Sequence, residues 1–140
     1  MILLVVPMTP RGQGRARHSV RIVNGTRRVV TYTPDSTRKA AAEIRAAWIR
    51  SGRECVPEAT PFRVRVEATM RRPDSHTTRS GTATRAYREV PRRPDVDNIL
   101  KLALDALQPD CFADDADCVE AIVTKTYGKE DSLTIRIDWA

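Results

Sequence analysis

Between Arg92 and Lys125 the apolar period of the chain changes from that of a helix to that of a strand, which narrows the folds open to it. Pro94 disfavours helix at Arg93, so the chain comes in extended through Asp95. Ile99, Leu102, Ala103, Ala106 and Leu107 then recur at the 3,4 spacing of an amphipathic helix. Past a short connection, Val119, Ala121, Val123 and Lys125 alternate with Glu120, Ile122 and Thr124, as the two faces of a strand do. A helix with one apolar stripe and a strand with one apolar face are both satisfied by packing helix on sheet.

The rest of the chain supplies that sheet. Ile2–Pro7 reads as a short strand. Val20–Val23 and Arg28–Tyr32 flank Asn24-Gly25, a strong hairpin signal. Asp35-Ser36-Thr37 offers caps for a helix running to Arg50, with Ala40, Ala41, Ile44, Ala47 and Trp48 as its buried stripe and Ser51-Gly52 as its stop. Phe62, Val64, Val66, Ala68 and Met70 alternate with polar residues in a half-buried strand, and Leu133, Ile135, Ile137 and Trp139 do so in a last one, joined through residues 128–131. Residues 71–90 show no period and read as a loop, with Tyr87 in it. The order β-ββ-α-β-α-β-β predicts an α+β domain over 1–140, a mixed sheet with two main helices on one face and mostly hairpin-connected strands. The 140 residues are enough for one such core.

Charge is segregated along this frame. The net charge is +6, yet residues 1–34 hold Arg11, Arg15, Arg17, Arg21, Arg27 and Arg28 and no carboxylate. A second basic stretch, 71–93, carries Arg71, Arg72, Arg79, Arg85, Arg88, Arg92 and Arg93; acids then dominate from Asp95 to Glu120. Arginine-rich segments at 11–28 and 71–93 flanking an acidic centre suit a polyanion gripped by its phosphates and cut at a metal, so Arg11, Arg15, Arg17, Arg27, Arg28, Arg92 and Arg93 are the candidate DNA contacts. The glycines of Thr9–Arg17 would let a flexible backbone lie close to a phosphate chain. No apolar run reaches the roughly 20 residues of a membrane helix. The short run at Met1 lacks a basic leader, and Cys55, Cys111 and Cys118 form no paired motif, as expected of reduced thiols in the cytoplasm.

The chemistry concentrates at the start of the second helix. Run extended, Asp95 and Asp97 would project to the same side; Asp97 or Asn98 would cap the helix; Asp97, Lys101 and Asp105 share its polar face at i,i+4 spacing. A cap and a surface ion pair explain Asp97 and Lys101 separately, but a cap needs neither Asp95 nor the second pair, Asp114-Asp115. If the connection Gln108–Ala113 brings that pair back beside the first, the converging carboxylates require a cation, and all-oxygen ligands select Mg²⁺ or Mn²⁺.

Pro94-Asp95-Val96-Asp97-Asn98-Ile99-Leu100-Lys101, followed by Leu104-Asp105-Ala106-Leu107 and Asp114-Asp115-Ala116, resembles the signature of the RusA family of Holliday-junction resolvases. Pro7–Arg17, Tyr32-Thr33-Pro34 and Lys125-Thr126-Tyr127-Gly128 are similar to that family as well. The resemblance implies a small homodimeric, Mg²⁺-dependent endonuclease of bacteria and prophages, with Mn²⁺ able to substitute, acting on four-way DNA junctions in recombination and repair. It implies Asp95, Asp97 and Asp115 as catalytic acids and metal ligands and Lys101 as the catalytic lysine. Asp117 departs from the pattern, where an amide is frequent, and leaves open whether it or Asp114 also coordinates. Two alternatives stand beside this reading: a phage nuclease of the same chemistry on flapped or branched DNA, and a catalytically silent junction binder. One acid cluster without an internal repeat leaves a monomer one site, so two symmetric cuts call for a dimer, with the apolar faces of the terminal strands and Trp139 as interface material.

Overall fold

A computed structural model describes residues 1–76 and 91–140. In chain order the elements are β1 (Ile2–Val6), β2 (Arg17–Val23), β3 (Thr26–Tyr32), α1 (Asp35–Ser51), β4 (Phe62–Arg71), α2 (Val96–Leu107), β5 (Cys118–Gly128) and β6 (Ser132–Trp139). The α+β class and the order of elements follow the sequence periodicities. Most of the aperiodic basic loop, with Arg79, Arg85, Arg88 and Tyr87, lies outside the described residues.

β1, β6, β4 and β5 form one mixed sheet in that spatial order, parallel between β4 and β5 and antiparallel elsewhere. This corrects the expectation of mostly hairpin-connected strands. β5 and β6 are consecutive but do not pair; β6 crosses β4 and settles between it and β1. Among the described residues only β2 and β3 form a hairpin, and they make a separate two-stranded ribbon. Its turn residues Asn24 and Gly25 have φ of 50° and 76°, the doubly positive geometry that follows the right-handed twist of the strands.

α1 packs on α2 and β1, and α2 packs on β4 and β5, so both helices cover one face of the sheet. Between them and the sheet lie Ile44 and Trp48 of α1, Ile99, Leu102 and Leu107 of α2, and Val66, Ile135 and Ile137 of the strands, all buried. Trp48 is therefore core. α1 stops where Gly52 turns left-handed at φ 59° and returns its N–H to the Ile49 carbonyl. β5 buries less than its alternation predicts, Val119 being 64% exposed, because it is an edge strand. One side of β1 and β6 belongs to this core, through Ile2, Leu4, Val6, Leu133, Ile135 and Ile137, while Leu3 and Val5 on the other side of β1 are 43% and 60% exposed. Cys55, Cys111 and Cys118 are free thiols; burial pushes Cys111 up to about 12, so it serves as a packed apolar group. No helix among the described residues is long and apolar enough to cross a membrane.

Candidate active site and nucleic-acid interface

The start of α2 differs from the expected cap. Asp95 is itself the N-cap residue, extended at φ −74° and ψ 148°, and its carbonyl accepts from the Ile99 N–H at 3.1 Å. No side chain caps the helix: neither Asp97 nor Asn98 does so, and Val96 already begins the first turn. The pair therefore does not run extended; Asp95 stands before the helix and Asp97 within its first turn. Arg93 donates to the Asp95 carboxylate at 3.3 Å, a solvent-exposed pair of small energetic value. Asp97 and Lys101 are exposed, and no ion pair joins them. Both carboxylates are thus left open to solvent, where the positive end of α2 favours negative charge.

Two contacts hold this corner in place. The Lys125 ammonium reaches from β5 and donates to the carbonyls of Arg92 at 3.0 Å and Pro94 at 2.9 Å. The sequence marked this residue as the odd charge at the end of an apolar alternation and as the first of the family-like Lys125-Thr126-Tyr127-Gly128, but assigned it no contact. On the other side the glycine-rich segment is pinned rather than loose. The Gln13 N–H donates to the Asn98 carbonyl at 2.8 Å, and the Gly14 N–H to the Thr37 hydroxyl at 3.1 Å. A Cβ on Gly12 would stand 2.8 Å from that of Asn98 and 3.2 Å from that of Pro94, so only glycine lets the segment pass so close. Thr37, expected as a cap, is instead buried and serves as this anchor.

Lys125 gives a direct test of how much the corner matters. Lys125→Met removes two charge-assisted hydrogen bonds, each worth about 1.5–3 kcal/mol at a charged group. If about 1.4 kcal/mol of that reaches the transition state, the DNA cleavage that the resemblance implies slows about tenfold, and Lys125→Arg restores part of it. Single-turnover rates at saturating protein measure this, and a parental rate in Lys125→Met would reduce the contact to scaffolding.

The pinned segment, the start of α1 and the start of α2 enclose an open groove of about 550 Å³. Arg11, Arg15, Arg17 and Arg93 line it, with Gly12, Gly14, Asn98 and the carboxylate-bearing Asp95. Arginine forks on a groove wall are suited to phosphate oxygens. Arg92 is exposed nearby on the same turn, whereas Arg27 and Arg28 stand on the hairpin. Arg72, at the other described edge of the second basic segment, lies over the Tyr127 ring, 4.6 Å from its centre.

Asp115 is elsewhere. The connection after α2 does turn the chain back, but into β5, which runs antiparallel to α2. The Phe112 ring meets Phe62 with centroids 4.7 Å apart, and Cys118 pairs with Phe62 at the start of β4. Lys125, at the other end of β5, is the residue that touches Pro94. Seven residue steps separate Cys118 from Lys125 along the strand, about 23 Å at 3.3 Å each, so Asp115, just before Cys118, lies on the order of 20 Å from the start of α2. The expected return of the second acid pair beside the first does not occur within one chain. Among the described residues no three His, Cys, Asp or Glu side chains come together to hold a metal. Asp114 and Asp115 also belong to no strand: Asp115–Asp117 is a single 3-10 turn, capped by the Asp114 carboxylate, which accepts from the Ala116 N–H at 2.9 Å. Asp114 is occupied by that cap, while Asp115 is exposed.

The donors available at the start of α2 are hard carboxylate oxygens, the right kind for Mg²⁺ or Mn²⁺, but among the described residues no three of them gather in one chain. A family model described as Endodeoxyribonuclease RusA matches residues 7–138. No curated protein matches the chain.

Proposed function

The chain belongs to the RusA family of endodeoxyribonucleases, and on that premise we propose that it resolves four-way DNA junctions in recombination and repair by paired, divalent-metal-dependent cuts. The observation that carries this reading is the juxtaposition of Asp95 with an arginine-lined groove at the start of α2. The groove holds a strand by its phosphates; Arg11, Arg15, Arg17 and Arg93 contribute from its walls, with Arg92 beside them. Arg28 extends the basic surface along the hairpin, on the side of the ribbon that Arg27 does not share.

Asp95 and Asp97 would hold the ion, with Asp115 as the third carboxylate. A hard divalent ion, Mg²⁺ with Mn²⁺ as its substitute, supplies Lewis acidity toward the scissile phosphate. Lys101 lies one helical turn from Asp97 on the exposed side of α2, and its ammonium stabilises charge developing on the leaving oxygen. Because α2 separates Asp115 from the other two acids in one chain, we assign the third carboxylate to a second copy. A closed two-fold pair brings the partner's Asp115 to the start of α2, makes two equal sites, and so allows two symmetric cuts.

The test is parallel cleavage of a synthetic four-way junction, a flap and a linear duplex, with and without Mg²⁺. Paired cuts in the junction alone, dependent on the ion, are expected. Equal cutting of the flap would replace junction resolution by a broader branched-DNA nuclease, and no cutting of any substrate would leave a binder. Within the same assay, Lys101→Ala is expected to keep its fold and its junction affinity but to cut about 10²-fold more slowly. A parental rate would return Lys101 to the status of a surface charge.

A further inference from the structure

We infer that the β2–β3 hairpin is a one-sided DNA arm: the side carrying Arg17, Arg21 and Arg28 lies on the junction, and the side carrying Arg27 does not. The inference rests on the reading of the protein as a junction nuclease and adds the surface by which an arm of the junction is held outside the cleft.

Register divides the ribbon. Arg17 faces Tyr32, Arg21 faces Arg28 and Val23 faces Thr26, while Val20 faces Val29 and Ile22 faces Arg27. Opposed residues of an antiparallel pair project to one side and their neighbours to the other. Adjacent in sequence, Arg27 and Arg28 therefore point in opposite directions. One side holds three arginines and a tyrosine. The other holds Val20, Ile22 and Val29, which are 64%, 73% and 70% exposed, with Arg27 as its one arginine.

The Arg21–Arg28 pair is the informative feature. Like charges placed directly across a two-stranded ribbon repel, and a lone hairpin is marginal to begin with. The ribbon has no carboxylate of its own, and among the described residues no acid forms an ion pair with any of its arginines. Repulsion between the two guanidinium groups is relieved when a polyanion lies across both. The charged side also leads somewhere. Arg17 begins β2 and at the same time lines the groove that contains Arg11, Arg15, Arg93 and Asp95. Arg28 and Arg21, then Arg17, then the groove arginines make one basic track that ends at Asp95. Arg27 is off that track.

The experiment is junction binding as a function of salt for Arg21→Gln/Arg28→Gln, Arg27→Gln and Arg21→Lys/Arg28→Lys, beside the parent. The glutamine pair is expected to weaken binding and to reduce the slope of log K against log salt by about 2, at about 0.9 per lost phosphate contact. Arg27→Gln is expected to keep the parental slope, and the lysine pair, which keeps the charge, to stay near it. The melting temperature of the glutamine pair should hold or rise, since a repulsion is removed; a loss of binding at an unchanged melting temperature therefore reports the contact and not unfolding. A parental slope in the glutamine pair, or an equal loss in Arg27→Gln, would overturn the one-sided arm. Cleavage by the parent separates this from the underlying reading: a parent that cuts junctions while the glutamine pair binds normally refutes the arm alone, and a parent that cuts no junction refutes the function first.

Discussion

Asp95→Asn and Asp97→Asn are each expected to yield a folded protein that still binds a four-way junction but cuts it about 10³-fold more slowly, the several kcal/mol that a correctly held metal supplies at about 1.4 kcal/mol per decade. The structure explains why folding should survive. Both side chains are exposed, and neither makes the capping bond that the sequence suggested. Asparagine is as good an N-cap residue as aspartate, so Asp95→Asn keeps the local preference. Asp97→Asn removes one carboxylate from the first turn of α2, worth about 0.3–1 kcal/mol through the helix dipole. That corresponds to a fall in melting temperature of roughly 1–4 °C for a chain of this size. Binding should hold or tighten slightly, because a negative charge has left the groove at Asp95 or the first turn of α2 at Asp97, close to the phosphates a strand in the groove would bring. Parallel measurement of melting, junction affinity and single-turnover cleavage separates these effects. Parental cleavage in Asp95→Asn would show that the acids serve only the fold and would leave a junction binder in place of a nuclease.

What the sequence made legible was whatever short-range pattern encodes. The five-residue stripe of α2 is buried as its spacing requires, the alternation of β4 is reproduced, and Asn24-Gly25 turns the hairpin. The order of strands in the sheet was not legible, because nothing in the pattern of β6 says that it crosses β4 instead of folding back on β5. That choice depends on the apolar face of β6 being shared between β1 and β4, a contact between residues more than sixty positions apart. The pinning of the glycine-rich segment was hidden for a similar reason: glycines with arginines read as mobile until Asn98 and Thr37 are found to grip the backbone. Lys125 was hidden because its partners are main-chain carbonyls, which leave no trace in residue type. For the candidate site, residue identities came from the pattern, and the placement of Asp115 did not. Sequence distance made a close return plausible, but a helix followed by an antiparallel strand sends the intervening turn to the far end.

That placement leads to the strongest prediction. If Asp115 acts on the α2 start of another chain, inactive variants should rescue one another. Asp97→Asn and Asp115→Asn alone should each cut about 10³-fold more slowly than the parent, since each leaves every site of its homodimer incomplete. In a purified mixed dimer, one site combines both lesions and is dead. The other takes intact Asp95 and Asp97 from one chain and the partner's Asp115, and is whole. One working site of two should nick a supercoiled cruciform plasmid at about half the parental first-cut rate and yield open circles rather than linear product, because the opposing cut is missing. The complementary mixture inverts the logic. A chain bearing both Asp97→Asn and Asp115→Asn, paired with an unmodified chain, has a lesion in each shared site and should be silent. If each chain instead built its own site, the first mixture would be silent and the second would nick. The two mixtures therefore give opposite answers under the two arrangements, and each variant controls for the folding of the others. Nicking by the second mixture alone would return Asp115 to its own chain and require a movement of the 3-10 turn by about the length of α2, roughly 16 Å for 11 residue steps.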